Sequence, residues 1–300
     1  MHFVTDVVAV VPARPPWLVR CTASFMALLK SCAFAALTLS CAVNETESNW
    51  PPSQAPVAWQ ASVRPEEPLE APTQALPRSY TVTEEQGVVR PLEVPGFQPA
   101  LLFTPTGDSP RPLVIAAHGA GGGPEWECEY WRRLTRGRAF ILSLTGTPLG
   151  KNYAGYFFRD HHALNRELIA AEQAARAHAP RILAGSGIYT GFSQGATMGT
   201  PILAQHANAF PYGVFIEGFM SWNVPGVRQF IRAGGQRVLI ACGSKECATA
   251  GKTSIRWFEA AGAEARLEYA PGAGHTPGGP VMEKIEAALP WLLGEDPNWR

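Results

Sequence analysis

Short apolar, β-branched runs alternate with helical patterns along the chain from about Ser79 onward. The lengths of these runs are typical of strands, and the periodicity between them is typical of helices. Such alternation favours a mostly parallel sheet with crossover helices. We therefore predict an α/β fold with a central sheet flanked by helices and strands at residues 101–103, 113–117, 139–144, 187–190, 213–216, 237–241 and 265–269.

Two predicted helices carry an apolar stripe on one face. The first follows Asp160, which has the residue type of an N-cap, and it ends before Pro180. The second is the last helix of the chain. Both stripes predict helices that pack on the sheet, through Leu164, Leu168, Ala171 and Ala175 in the first and Val281, Ile285, Ala288 and Leu292 in the second.

An apolar run at residues 25–39 is shorter than a membrane-spanning helix requires, and small residues follow it. This pattern is typical of a secretory signal, so we predict a signal peptide over residues 1–41 and an exported protein. Met26 is an alternative true start, because Lys30 would then supply the positive segment ahead of the apolar run.

The end of this run, Leu-Thr-Leu-Ser-Cys-Ala at residues 37–42, resembles a bacterial lipoprotein processing site. It predicts lipidation of Cys41 and anchoring of the protein to a membrane. Thr38 stands where such sites usually carry Leu, so soluble secretion into the medium or periplasm and an uncleaved anchor remain alternatives. Residues 42–78, rich in Pro, Glu, Ser, Ala and Gln, predict a disordered linker before a folded domain at 79–300.

The charges of the chain are balanced, with 25 basic Lys and Arg residues against 25 acidic ones and no block of one sign. A nucleic-acid-binding protein would carry a basic patch or stripe, so the sequence predicts no nucleic-acid partner. The balance favours a partner that is small and uncharged, or one derived from a membrane.

Residues 191–195 have the sequence Gly-Phe-Ser-Gln-Gly, directly after a predicted strand and before the helical run 196–205. A sharp strand-to-helix turn of this kind strains the serine backbone, and its glycines avoid collisions with the neighbouring strand and helix. The helix N-terminus also favours negative charge that develops beside it. The pattern therefore predicts Ser193 as a nucleophile.

This segment resembles the nucleophile turn of the α/β-hydrolase superfamily, in particular the phospholipase/carboxylesterase group, with secreted polyester depolymerases and feruloyl esterases as further relatives. The resemblance covers roughly residues 79–294, so it implies that residues 79–300 form a hydrolase catalytic domain. It rests on short motifs in chain order and is specific for the superfamily rather than for a substrate.

A second motif, the strand 113–117 followed by His-Gly-Ala-Gly-Gly-Gly, resembles the oxyanion loop of these hydrolases. The resemblance implies that the backbone N–H groups of Ala120 and Gln194 bind the oxyanion, and that Gly119 lets the backbone approach the substrate. His118 is expected to orient this loop rather than to act as a base. A phosphate-binding loop is not expected, because the chain has neither G-K-[ST] nor GxGxxG here.

The superfamily order of nucleophile, acid and histidine implies a base beyond Ser193, where His206 and His275 lie. His206 ends the helix after the nucleophile, whereas His275 lies in a glycine-rich loop between the last strand and last helix, where the family's histidine is found. The acid is a glutamate, because no Asp lies between Ser193 and His275. Glu246, in the turn where relatives carry an aspartate, is preferred, and Glu217 is its competitor.

Aromatic residues after the predicted strand at 139–144 lie where open α/β sheets bind ligands. Tyr153, Tyr156 and Phe157 are expected to line the pocket with Trp222, and burial in the core is the alternative for each of them. No insertion long enough for a large lid follows Glu217. Of the cysteines that follow Cys41, two flank the preferred acid, Cys242 and Cys247, and either a bridge between them or a buried free Cys242 fits the sequence.

The prediction is a serine esterase that cleaves a small-molecule carboxylic ester through an acyl-enzyme, with neither cofactor nor metal. Asp160, His161 and His162 do not suggest a metal site, because the first reads as a helix cap and the two histidines point to different faces of the helix. Two other functions stay open, a serine peptidase of the prolyl-peptidase type and an inactive, surface-tethered binding protein on a hydrolase scaffold.

Overall fold

An eight-stranded sheet forms the centre of the part of the chain that the computed structural model describes, residues 87–150, 154–218 and 222–300. Two further strands, β5 and β6, pair separately as a short antiparallel hairpin. In chain order the strands are β1 Gly87–Leu92, β2 Ala100–Pro105, β3 Leu113–Ala117, β4 Phe140–Leu144, β5 Thr147–Pro148, β6 Tyr156–Phe157, β7 Ile188–Phe192, β8 Tyr212–Ile216, β9 Arg237–Cys242 and β10 Glu264–Tyr269.

The strand order β1-β2-β4-β3-β7-β8-β9-β10 makes most of the sheet parallel. β1 and β2 pair antiparallel, as do β2 and β4, whereas every pair from β4 to β10 is parallel. The carboxyl ends of β3, β7, β8, β9 and β10 therefore meet at one edge of the sheet. The predicted fold class is confirmed, and this edge is where chemistry is expected in such sheets.

Helices cover both faces of the sheet and bury its apolar strands. They are α1 Pro124–Leu134, α2 His161–His178, α3 Gln194–His206, α4 Val224–Arg232, α5 Lys245–Ala261 and α6 Pro280–Leu293. α2, α3, α4 and α5 contribute to one apolar layer, and α1 and α6 contribute to the other. β3, β4 and β8 are buried along their whole length, which explains their continuous apolar runs.

All seven predicted strands belong to the sheet, and both apolar stripes pack on it. The side chain of Asp160 caps α2 by accepting a hydrogen bond from the Ala163 amide at 2.8 Å. The structure adds β1 and the β5–β6 hairpin, which were not predicted. Most of β1 is exposed and it contains Pro91, so it carries no buried apolar pattern.

The predictions for the N-terminal region lie outside the described residues. They comprise the signal peptide at 1–41, the lipidated Cys41, the linker at 42–78 and the beginning of the catalytic domain at 79–86, and they stay predictions. Within the described ranges, no helix has the length and apolarity needed to cross a membrane. The connection between β8 and α4 spans residues 217–223, which is too short for a large lid.

The carboxyl group of Glu127, in α1, is completely buried. Neither of its oxygens has a hydrogen-bond partner among the residues that the structure describes. Burial raises the pKa of this carboxyl from 4.5 to about 8, and the nearby indole N–H of Trp131 lowers it by less. The folded protein therefore holds Glu127 protonated at neutral pH, whereas the unfolded chain ionises it.

We expect Glu127 to make the folded protein less stable as pH rises. Below pH 4.5 the group is protonated in both states, and between pH 4.5 and about 8 only the unfolded state releases the proton. Each pH unit in this window then lowers the free energy of unfolding by at most about 1.4 kcal/mol. Urea unfolding at pH 5, 6, 7 and 8 should show this slope reduced in Glu127→Gln.

The control for this comparison is Glu125→Gln, which changes an exposed carboxylate in the first turn of the same helix. It should keep the pH dependence of the wild type. If Glu127→Gln and the wild type show the same pH dependence, the buried carboxyl does not titrate as described.

Candidate active site

Ser193 lies between β7 and α3 in a backbone conformation that L-residues rarely adopt, with φ 51° and ψ −105°. Its amide donates to the carbonyl oxygen of Ile216 at 2.8 Å, which fixes the turn to the end of β8. Strained conformations of this kind persist only where the surroundings hold them, and they are concentrated at functional sites. The predicted sharp strand-to-helix turn is present.

The glycines on either side of Ser193 allow three chain segments to pass very close together. A Cβ on Gly191 would collide with the backbone of Gly195, and a Cβ on Gly195 would collide with the carbonyl of Ala117. The Gly195 amide also donates to the His118 carbonyl oxygen at 3.2 Å. The nucleophile turn is therefore packed directly against the end of β3.

His275 lies in the loop that follows β10 and links two other side chains. Its Nε2 is 2.9 Å from Ser193 Oγ, and its Nδ1 is 3.2 Å from Glu217 Oε2. With the proton on Nδ1 donated to the carboxylate, Nε2 is left to accept the serine proton. The imidazole side chain is 53% exposed, so a substrate can reach it from solvent.

Glu217 follows β8 directly and is held by the loop after β9. Its carboxylate is fully buried, and its own backbone has a positive φ of 52°. Oε1 accepts from the amides of Gly243 and Ser244, and Oε2 accepts from Ser244 Oγ at 2.7 Å. Three donors and the imidazole thus surround a buried carboxylate, which satisfies its charge.

The structure thus places Glu217, and not the preferred Glu246, against His275. Glu246 lies in the first turn of α5, where it is exposed and close to the positive end of the helix. Ser244 is the N-cap of that helix, and its Oγ also accepts from the Cys247 amide. The helix therefore begins before Glu246, and Ser244 is the residue of this turn that faces the carboxylate of Glu217.

The predicted oxyanion loop lies beside the serine. A Cβ on Gly119 would be 3.1 Å from Ser193 Cβ, so a larger residue there would crowd the nucleophile. In the described part of the chain, the amides of Ala120 and Gln194 donate to no other protein group. Both predicted donors are thus available to an oxygen bound next to Ser193.

His118 is buried beneath this loop and contacts backbone carbonyls through both ring nitrogens. Nε2 is 2.9 Å from the Thr145 oxygen, and Nδ1 is 2.7 Å from the Gly119 oxygen. Both ring nitrogens thus contact the backbone, an arrangement that suits the expected role of His118 in orienting the loop.

The aromatic residues predicted to line the pocket have different surroundings. Tyr156 is half-buried and its backbone pairs with the oxyanion loop, through Gly121 N to Tyr156 O and Tyr156 N to Gly122 O. Phe157, also half-buried, follows it in β6. Tyr153 lies outside the described residues.

The prediction that Trp222 lines the pocket is corrected to the alternative of core burial. Its side chain is buried, with its ring 4.9 Å from that of Phe258 and 5.8 Å from that of Phe230. The ring therefore packs against side chains of both α4 and α5.

A cluster of aromatic side chains, which the sequence analysis did not predict, supports the His275 side of the site. Phe192 packs between Trp126 and His275, with ring centroids 5.5 Å and 5.2 Å away. Tyr130 contacts Trp126 and donates its hydroxyl to the Pro277 carbonyl, two residues beyond His275. Trp126 and Tyr130 recur four residues apart on α1, and that spacing on one helix face was the available signal.

His206 and the cysteines form none of the contacts described above among Ser193, His275 and Glu217. His206 ends α3 and contacts Asn165 through Nε2 at 2.7 Å, and burial lowers its pKa. Cys242 and Cys247 form a disulfide, which bridges the loop that donates to Glu217 and takes both sulfurs out of metal ligation. Cys128 is a buried free thiol whose pKa burial raises to about 12.

Comparison with known proteins identifies the fold. No family model and no curated protein matches the chain. Among solved structures, TT1662 from Thermus thermophilus is similar with a TM-score of 0.54 at 15% identity, over 70% of this chain and 99% of that protein.

Two solved structures from Staphylococcus aureus give a similar result. The fluorophosphonate-binding serine hydrolase FphF matches at TM-score 0.50 and 11% identity, over 69% of this chain and 98% of that one. The S-formylglutathione hydrolase FrmB matches at TM-score 0.50 and 11% identity, over 69% and 96%. These similarities show that the chain has the α/β-hydrolase fold.

The disulfide gives a prediction that peptide mapping can test. Trypsin cleaves after Lys245, between the two bridged cysteines, so an unreduced digest should contain peptides 238–245 and 246–252 linked through Cys242 and Cys247. Reduction should separate them. Recovery of both peptides with alkylated cysteines from unreduced protein would contradict the bridge, and Cys128, alkylated only after unfolding, is the internal control.

Proposed function

We propose that this protein is a serine hydrolase that cleaves carboxylic esters, with Ser193 as nucleophile, His275 as base and Glu217 as acid. The observation that carries the proposal is the continuous contact from Ser193 Oγ to His275 Nε2 and from His275 Nδ1 to Glu217 Oε2. The strained backbone of Ser193 and the adjacent free amides add the two other features that acyl transfer needs.

In this mechanism His275 takes the Ser193 proton as Oγ bonds to the ester carbonyl carbon. The carbonyl oxygen becomes negative and is stabilised by the amides of Ala120 and Gln194. His275 then gives the proton to the leaving alcohol as the ester bond breaks and the acyl-enzyme forms. Water repeats the sequence and releases the acid, while Glu217 holds the imidazole tautomer and stabilises its charged form.

The surroundings of the site favour an ester with an apolar alcohol part. His275 protonates the leaving group, so the alcohol lies on the side of the site where Trp126 and Phe192 present partly exposed rings. Aromatic walls bind apolar groups by burying their surface. A small aryl or alkyl ester has such an apolar alcohol part. Esters derived from membranes are also carboxylic esters.

The first test is turnover of p-nitrophenyl esters from acetate to palmitate by the full chain. We expect hydrolysis by the wild type, and loss of at least about a thousandfold in kcat for Ser193→Ala, because no other group in the mechanism forms the acyl-enzyme. Fluorophosphonate labelling of Ser193, detected by mass spectrometry, gives a second readout. A folded wild type that takes the label but hydrolyses none of these esters would favour a peptidase, and one that does neither would favour a binding protein.

A second test separates the two candidate acids. Glu217→Gln should lower kcat by about a thousandfold to ten-thousandfold, because the amide no longer holds the correct imidazole tautomer. Glu246→Gln is the matched control and should retain wild-type kcat, since Glu246 is exposed in the first turn of α5. Equal losses in the two variants, or a larger loss in Glu246→Gln, would overturn the assignment of the acid.

A further inference from the structure

A second buried carboxyl group near the site, that of Glu167 in α2, has no role in the mechanism above. We propose that Glu167 is a positioning residue that holds the oxyanion loop in its working conformation, through the backbone of Thr145 and the ring of His118. The proposal rests on the proposed function, because an oxyanion loop has a role only in acyl transfer.

The first link joins α2 to the end of β4. Glu167 is 3% exposed, and its Oε1 accepts hydrogen bonds from the Thr145 amide at 3.0 Å and the Gly146 amide at 2.8 Å. α2 itself is fixed to the sheet by its buried apolar stripe. The carboxyl oxygen therefore fixes the turn after β4 relative to helix α2.

The second link joins this turn to the oxyanion loop. The Thr145 oxygen, which belongs to the same peptide group as the anchored amide of Gly146, contacts His118 Nε2 at 2.9 Å. The Thr145 hydroxyl is also bound, because it donates to the Pro99 oxygen at 2.6 Å. The acceptor for the His118 ring is thus held from both sides.

The third link joins His118 to the groups that would bind the oxyanion. Its ring is completely buried, and its Nδ1 contacts the oxygen of Gly119, the residue before Ala120. Its own carbonyl accepts the amide of Gly195, the residue after Gln194. A shift of His118 would therefore move both predicted oxyanion donors.

The same carboxyl group also supports the opposite side of the loop. Gly146 has a φ of 76°, and it begins the connection into the β5–β6 hairpin. Tyr156 of that hairpin exchanges backbone hydrogen bonds with Gly121 and Gly122. Glu167 is therefore attached to the oxyanion loop by two routes, one through His118 and one through Tyr156.

The energetics of this site indicate what a substitution would change. Burial raises the pKa of Glu167, while the amides of Gly146 and Thr145 lower it by less, so the protein holds a carboxyl group at a net cost. Both amides donate to one oxygen, which a glutamine would also provide. The position of the acceptor, rather than the charge, should therefore decide the function.

The test compares Glu167→Leu with Glu167→Gln in the full chain. Leu removes the acceptor and should lower kcat by about tenfold to a hundredfold with little change in KM, because misplaced donors fail mainly in the transition state. Glutamine keeps an acceptor oxygen for the two amides, so Glu167→Gln should have a kcat within about threefold of the wild type. Glu172→Leu, which removes a carboxylate paired with Arg176 farther along α2, is the matched control and should keep wild-type kcat.

Two further readouts separate positioning from a general loss of structure. A trifluoromethyl ketone adds to Ser193 Oγ and places its oxyanion in the same donors, so its inhibition constant should rise by the factor by which kcat/KM falls. The imidazole Nε2–H proton of His118, observed by NMR, should be protected in the wild type and Glu167→Gln and exchange rapidly in Glu167→Leu.

The proposal is overturned if Glu167→Leu keeps wild-type kcat. The same holds if the fraction of activity that this variant loses equals the fraction of its protein that is unfolded. It is also overturned if Glu167→Gln is as impaired as Glu167→Leu. An inactive wild type would overturn the proposed function and the oxyanion role together, and the His118 proton signal would then still report whether Glu167 fixes that ring.

Discussion

The close contact between Gly195 and the carbonyl of Ala117 is the constraint on which the rest of the site depends. It brings the nucleophile turn against the end of β3, and a side chain at Gly195 would force the two apart. The same approach allows the Gly195 amide to bond to His118 and places the oxyanion loop beside Ser193. The strained backbone of Ser193 is stable because these contacts hold it on both sides.

The carboxylate that contacts His275 is held by groups from two neighbouring parallel strands. Glu217 comes from the end of β8, and the loop after β9 contributes the donors that surround its carboxylate. The disulfide between Cys242 and Cys247 closes that loop, and Ser244 serves both the carboxylate and the cap of α5. A carboxylate buried beside His275 is thus supported by two backbone amides and a serine hydroxyl of one turn.

The strands, the strained turn at Ser193 and the loop that carries His275 were predictable from the sequence because each has a local signal. Buried parallel strands are continuous apolar runs, and the glycine pattern around Ser193 is required by a turn of a few residues. The sequence favoured Glu246 as the partner of His275, whereas the structure places Glu217 there, because both glutamates follow strands that end at the same edge. Which carboxylate reaches His275 depends on where α5 begins, and the N-cap at Ser244 was the neglected signal.

By itself, the sequence determined the α/β architecture, the position of Ser193 in a strained turn and the order of the motifs, because these follow from periodicity and from local steric limits. Only the tertiary structure decided that Glu217 is the partner of His275, that Trp222 belongs to the core, and that Glu167 and Tyr130 brace the site. The physical reason is that these contacts join segments distant along the chain, and their geometry is set by how strands and helices pack rather than by any local pattern.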